Sequence, residues 1–236
     1  MKAIRLQSYV DRDGWLVARC RGKRVLHLGC VGFTDCHSQA KVENARLSLH
    51  HQLTEVSDCV GVDLDRTTVE KLQSMGIFHN LRVGNVERLQ ELEGQLAPFD
   101  LVVAGDIIEH LSNPGMMLDG VQRFLKPDGQ LIVSTPNAMG LPAHLRHCVG
   151  RFREGSQHVL CFNALTLAQL LERHGYEVAE AHSCHHRQAR ASSGLLFKLG
   201  CSFFRAFPKF GGTLIFAATT RRSGSSFGGK GARGGR

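Results

Sequence analysis

The strongest constraint on the fold is the run Val25-Leu26-His27-Leu28-Gly29-Cys30-Val31-Gly32-Phe33, an apolar strand pattern that passes straight into a small glycine-containing turn. A second such run, Val60-Gly61-Val62-Asp63-Leu64-Asp65, follows and ends in carboxylates. Strands buried on both faces read as continuous apolar runs, which points to a parallel sheet covered by helices. A strand that stops at glycine lets backbone N–H groups approach a ligand with no Cβ in the way. An acid at the tip of the neighbouring strand is placed to accept hydrogen bonds from ribose hydroxyls. Together the two strand ends read as a nucleoside-binding crevice.

From about Gly22 onward, short apolar runs alternate with amphipathic stretches, the mark of stacked βα units. Strands are expected over 24–29, 59–64, 80–84, 99–105, 129–135, 176–181 and 212–218. Helices are expected around 38–56, 66–75, 87–96, 114–124 and 164–174. Asp65 is an N-cap for the helix that opens at Arg66, and Gly76 is its stop. Lys126-Pro127-Asp128-Gly129 has the composition of a turn. The pattern predicts an α/β protein with a mostly parallel, seven-stranded sheet and helices on both faces.

With 236 residues, 42% of them hydrophobic, the chain can bury one substantial core. Residues 1–21 read as a helical or irregular lead-in and 22–220 as the domain, with 183–211 a variable insertion. No apolar run approaches the ~18 residues of a membrane span, and the N-terminus has no continuous apolar stretch of the signal-peptide kind. Eight cysteines without a C-x-x-C pair read as reduced thiols in a cytoplasmic protein. The net charge of +8 is uneven: the last 16 residues hold five basic residues and no acid, leaving 24 basic against 21 acidic in the body. That tail, 221–236, is rich in Gly, Ser and Arg and is expected to be disordered.

Read in order, the strand ends resemble the motif series of class I S-adenosylmethionine-dependent methyltransferases, over roughly residues 22–220. The family's first strand ends D/E-x-G-x-G-x-G; here the aligned positions are His27, Gly29, Val31 and Phe33, with Gly32 one place early. Asp63 corresponds to the second-strand acid, and Asn85 stands where the family's third strand carries an acid near the adenine. The run from Phe99 through Asp106-Ile107-Ile108-Glu109-His110-Leu111 is similar to the F-D-x-V-x-x-x-x-x-x-E-H-L segment of ubiquinone-type small-molecule methyltransferases. The stretch Leu125–Asn137 and the segment beginning at His158 also fit that subgroup. The first loop further looks like methyltransferases of bacterial cell-surface polysaccharide clusters. His27 and Val31 depart from the pattern, so two readings stand: a subfamily with a rearranged first loop, or a degenerate fold that serves as a binding protein.

The resemblance implies S-adenosyl-L-methionine as cofactor, and assigns its binding to His27, Gly29, Cys30, Gly32, Asp63, Leu64, Asn85, Val86, Asp106 and Ile107. Val86 and Ile107 could equally be ordinary core, and Asn85 a turn residue. Asp106, His110 and His158 are the catalytic candidates, the two histidines because imidazole is suited to accept a proton near neutrality. Glu109 could act in catalysis or stabilise its loop by accepting backbone N–H bonds. The His182-Ser183-Cys184-His185-His186 cluster invites a metal reading, but with no second ligand pair spaced for a closed site a solvated histidine patch is preferred, and no metal is assigned. The segment 195–207, closed by Pro208, reads as a short helix with little polar surface, suited to burial, a lid, a dimer surface or peripheral contact with a membrane.

The function these features imply is methyl transfer to an oxygen, less so a nitrogen, of a small molecule, glycan or lipid-linked intermediate. An RNA methyltransferase is the rival that the basic tail suggests. Against it, the body is only mildly basic, and neither a stacking platform nor an N-P-P-Y-like acceptor motif is visible.

Overall fold

The computed structural model describes residues 4–32, 44–151, 155, 157–185 and 195–221. Phe33, Cys36, His186 and the tail beyond Arg221 lie outside them.

Eight strands form one sheet: β1 (Tyr9–Asp11), β2 (Arg24–Leu28), β3 (Asp58–Asp63), β4 (Leu81–Val83), β5 (Phe99–Gly105), β6 (Leu125–Pro136), β7 (Tyr176–His185) and β8 (Thr213–Thr220). Their spatial order is β1-β7-β8-β6-β5-β2-β3-β4. Only β8 runs antiparallel to its neighbours. The α-helices among the described residues are α1 (Arg12–Cys20), α2 (Leu49–Thr54), α3 (Arg66–Ser74), α4 (Pro114–Gln122), α5 (Leu141–Cys148), α6 (Ala164–Arg173) and α7 (Leu195–Ala206).

The expectation of seven strands is corrected to eight. The extra one, β1, comes from the lead-in and pairs in parallel with Ser183–His185 at the sheet edge. Three residues carry too little periodicity to be read as a strand, and only β7 gives them hydrogen-bonding partners. α1 then packs its buried Leu16 and Cys20 with Leu101, Ile132 and Ile215, so residues 9–20 are built into the sheet and core of the domain.

Local signals placed most of the remaining elements. The Asp65 carboxylate accepts hydrogen bonds from the Thr68 N–H (3.1 Å) and hydroxyl (2.7 Å) as the N-cap of α3. Asn163 and Thr166 form a reciprocal capping box on α6. Lys126–Gly129 is looped out of β6, between the rungs that pair Leu125 with Phe99 and Gln130 with Leu101. The helix expected over 87–96 is instead a run of 3-10 turn from Val86 to Leu92, kinked at Arg88. Leu89 and Leu92 still reach the core from it. The expected 38–56 helix is broken within its described part. Ser48 is extended, and its hydroxyl caps α2 by accepting from the His51 N–H. α5 was not anticipated; Pro142 in its first turn marks its start.

Candidate functional site

The carboxyl ends of β2 and β5 open into a cavity of about 470 Å³, within the ~300–1,000 Å³ usual for small-molecule sites. Its walls include Gly29, Cys30 and Gly32 from the turn after β2, Asp106, Ile107, Glu109 and His110 after β5, and His158.

The turn after β2 depends on two glycines in left-handed backbone, Gly29 at φ 68° and Gly32 at φ 77°. Val31 takes an ordinary negative φ, so a β-branched residue is tolerated there. Its side chain packs against the small core cluster that includes Val69, Leu72 and Phe78. Its N–H donates to Asp63 Oδ2 (2.8 Å), and the N–H of Asp65 donates to Oδ1 (3.0 Å). Asp63 therefore staples the glycine turn to the tip of β3, and each carboxylate oxygen keeps a lone pair for a further donor. Beside it Leu64 is 66% exposed, an apolar face presented at a strand tip.

Asp63, Leu64, Asn85 and Val86 lie at the ends of β3 and β4, next to the cavity but not among its walls. Asn85 accepts the Glu87 N–H through Oδ1 (2.9 Å), which makes it a cap for the following turn. Val86 is buried in the main core. Ile107 is both core and wall, packed so closely under Gly29 that a Cβ there would stand 2.6 Å from its Cδ1.

Asp106, immediately after β5, has φ 49°, the one non-glycine residue with positive φ among the described residues. Strain of this kind, about 1–3 kcal/mol, persists where surrounding contacts over-determine it. Here Oδ1 accepts the Ser134 hydroxyl (2.9 Å) and Oδ2 faces the Arg12 guanidinium (3.1 Å). Arg12 is buried, and also engages Asp13 (3.0 Å) and Ser134 (3.0 Å).

Glu109 is 1% exposed. Its Oε2 accepts from the Thr135 hydroxyl (3.0 Å), while Oε1 is buried without a hydrogen bond among the described residues. Burial, then the nearby Asp106 charge, push its carboxyl up to about 7. Its backbone carbonyl accepts the N–H groups of Val159 and Leu160 (3.0 and 3.1 Å), which draws the 158–160 segment over the turn. His158 Nε2 thereby stands 4.0 Å from Glu109 Oε1, and the His110 and His158 rings meet edge to face at 4.7 Å. His110 donates from Nδ1 to the Gln157 carbonyl (3.0 Å), so its Nε2 is the basic nitrogen. Burial lowers its affinity for a proton. Glu109, His110 and His158 bring one ligand atom each within 4.8 Å of one another, compact enough for a proton relay or a divalent cation.

The solvated histidine patch expected at 182–186 is not found in the described part of that cluster. His182 is buried, bonded to Ser8 through Nδ1 (2.8 Å) and to Glu180 through Nε2 (3.2 Å), with the Trp15 ring against it. The addition of β1 and α1 at that edge excludes the water a lone β7 would have kept. Sequence reasoning missed Arg12, Ser134 and His50, all placed at the site by chain crossings that leave no local pattern.

The groups present fit the adenosine-sulfonium cofactor: a glycine cradle at strand end, a stapled acid and exposed leucine on the next strand, and a negative charge at Asp106. A family model described as a methyltransferase domain matches residues 18–181. A probable S-adenosylmethionine-dependent methyltransferase of Mycolicibacterium smegmatis is 29% identical over 171 residues, covering 72% of this chain and 58% of that protein. A ubiquinone biosynthesis O-methyltransferase of Xylella fastidiosa is 30% identical over 118 residues, covering 49% of this chain and 43% of that protein. The chain thus spans about half the length of these curated relatives. Among solved structures, magnesium protoporphyrin IX methyltransferase of Synechocystis, crystallised with bound SAH, shares the fold with a TM-score of 0.53 at 16% identity, over 89% of this chain and 80% of that one. A TehB-like SAM-dependent methyltransferase of Corynebacterium glutamicum does so at 0.54 and 17%, over 90% and 89%. With its glycine turn, stapled acid and matched domain in place, this chain belongs to the class I S-adenosylmethionine-dependent methyltransferases.

Proposed function

We propose that this protein transfers a methyl group from S-adenosylmethionine to a hydroxyl oxygen of a small-molecule, glycan or lipid-linked acceptor. The observation that carries the reading is Glu109 Oε1, a buried carboxylate oxygen without a hydrogen bond among the described residues, beside two imidazoles in the wall of the cavity that the glycine turn lines. A hydroxyl is a weak nucleophile until a base takes its proton, and such bases contribute ~10²–10⁴-fold in rate. When bound, the cofactor supplies an electrophilic methyl group on a sulfonium, so alignment matters more than covalent help.

In this reading Gly29, Gly32 and Asp63 hold the cofactor, and Asp106, fixed by Arg12 and Ser134, offers negative charge to a cationic ligand. His158 accepts the acceptor's proton and Glu109 stabilises the imidazolium that results. The exposed stripe of Leu199 and Phe203 on α7 and Phe207 just past its end, with Lys198, Arg205 and Lys209 around it, favours an acceptor that is amphiphilic and approached at a membrane surface. Among the described residues no helix is long and apolar enough to cross a membrane, so contact of this kind would be peripheral.

Calorimetric titration of S-adenosylmethionine and S-adenosylhomocysteine, repeated with Asp63→Ala, tests the first half. Micromolar binding that weakens sharply in the variant supports it, and no binding by folded protein overturns it. Methylation of hydroxylated acceptors by wild type, His158→Ala and Glu109→Gln tests the second half. Turnover lost in both variants with cofactor binding intact is the expected result. Turnover abolished by a chelator and restored by added divalent cation would assign the same three groups to a metal instead.

A further inference from the structure

His27 stands where the family pattern has an acid. It is 4% exposed and lines the cavity beside Gly29. Its Nδ1 lies 3.2 Å from Nδ1 of His50, the two rings stacked at 5.4 Å and 25°. His50 enters from α2 and is 1% exposed, with the Phe78 ring edge-on at 4.8 Å. Gly61 makes room for it, since a Cβ there would stand 2.8 Å from His50 Cε1. His50 Nε2 is buried without a hydrogen-bond partner among the described residues.

These contacts select one pair of tautomers. Two Nδ1 atoms at 3.2 Å share a single proton, and each neutral imidazole carries one N–H. If His27 donated, His50 would hold its own proton on Nε2, stranding a buried N–H. If His50 donates from Nδ1, its stranded Nε2 is only a lone pair, and His27 must carry its proton on Nε2. Orphaned buried N–H groups are the rarer defect. Burial of both rings, and the Arg12 charge near His27, keep the pair neutral.

We propose that His50 is a positioning residue that locks His27 as the Nε2–H tautomer, so that this end of the cavity offers a neutral N–H donor where the family carboxylate would accept. A donor there is suited to the α-carboxylate of the cofactor's amino-acid portion, whereas a carboxylate suits the ammonium. The cofactor part of this inference rests on the function proposed above; the tautomer part does not.

Two measurements separate them. Long-range ¹⁵N–¹H spectra of the ligand-free protein should show His27 protonated at Nε2 and His50 at Nδ1; the opposite assignment overturns the inference whatever the protein binds. Calorimetry then compares S-adenosylhomocysteine with 5′-methylthioadenosine, which lacks the amino-acid portion. His27→Gln, which keeps an N–H donor, should bind S-adenosylhomocysteine nearly as well as wild type. The isosteric His27→Glu should lose about tenfold or more, the scale of one hydrogen bond to a charged group, with methylthioadenosine affinity unchanged in both. His50→Asn, whose amide can replace the Nδ1–H, should be tolerated, and His50→Leu should behave like His27→Glu. Tighter binding by Glu than by Gln, or equal loss for both ligands, overturns the donor role. A wild type that binds neither ligand overturns the cofactor reading itself and leaves the tautomer result standing.

Discussion

The guanidinium of Arg12 lies 3.1 Å from the carboxylate of Asp106, tying the first turn of α1 to the left-handed tip of β5. Gly105 belongs to the same arrangement: a Cβ there would stand 2.5 Å from Arg12 Nη2, so the strand end is bare where the guanidinium crosses it. Arg12→Met leaves Asp106 without its counter-charge and is expected to cost about 3 kcal/mol, the low end of the range for breaking one side of a buried pair, because the Asp106 side chain is partly exposed. Adding Asp106→Asn removes the stranded charge and should recover part of that loss. Urea unfolding of wild type, both single variants and the double variant checks this; a double variant no more stable than Arg12→Met would show that charge is not what Arg12 contributes.

The two left-handed glycines differ in a way that mutation can separate. At Gly32 nothing among the described residues lies within 4 Å of an added Cβ, so Gly32→Ala is expected to meet backbone strain of about 1–2 kcal/mol. At Gly29 the same strain is joined by collision with Ile107 Cδ1. Gly29→Ala should therefore be the more destabilised, and Gly29→Ala/Ile107→Val should return only the collision part. Thermal melts of the three variants, with S-adenosylhomocysteine titrations, give the answer; equal losses at the two glycines would refute the steric distinction.

Acid should weaken the fold through the His27–His50 pair. Burial lowers the His50 pKa to about 4, and burial with the neighbouring His50 and Arg12 charges lowers that of His27 well below its usual value. The unfolded chain, with histidines near 6.5, takes up protons first. Stability from the pair is therefore full above about pH 6.5 and is lost as pH falls toward 4, on the order of 3 kcal/mol from His50. Urea midpoints between pH 7.5 and 4.5 should fall accordingly, and His50→Asn should flatten the slope. An unchanged slope in that variant would assign the acid sensitivity to other groups.

On α7, Phe197, Cys201 and Phe204 face the sheet edge, with Phe204 against Tyr9 at 5.2 Å and Phe197 against His185 at 5.7 Å. Leu199, Phe203 and Phe207 form the exposed stripe on the other side. Phe203→Asp/Phe207→Asp should thus leave the melting temperature within a few degrees of wild type while abolishing sedimentation with anionic vesicles. Undiminished vesicle binding would move the contact away from α7.

Much of the architecture was legible because its causes are local. Apolar runs marked β2, β3, β5 and β6 as strands buried on both faces, and Asp65 and Gly76 punctuated their helix through bonds spanning only a few residues. The 87–96 segment was misread because its apolar spacing satisfies a 3-10 turn as well as an α-helix, and only packing of Leu89 and Leu92 on the core decides between them. β1 was invisible, since three residues become a strand only when β7 supplies the other half of the ladder.

At the site the same division holds. The sequence by itself determined a glycine turn and an acid at adjacent strand ends, and hence a nucleoside-binding crevice, because those residue types are suited to a backbone that must approach a nucleoside; the cofactor followed from the resemblance of the whole motif series. Only the tertiary structure decided that His27 is answered by His50, that Arg12 holds Asp106, and that Glu109 lies dry beside His158. Each is a meeting of segments distant in the chain, and the burial that sets their charge and tautomer exists only once the sheet and its helices have closed over them.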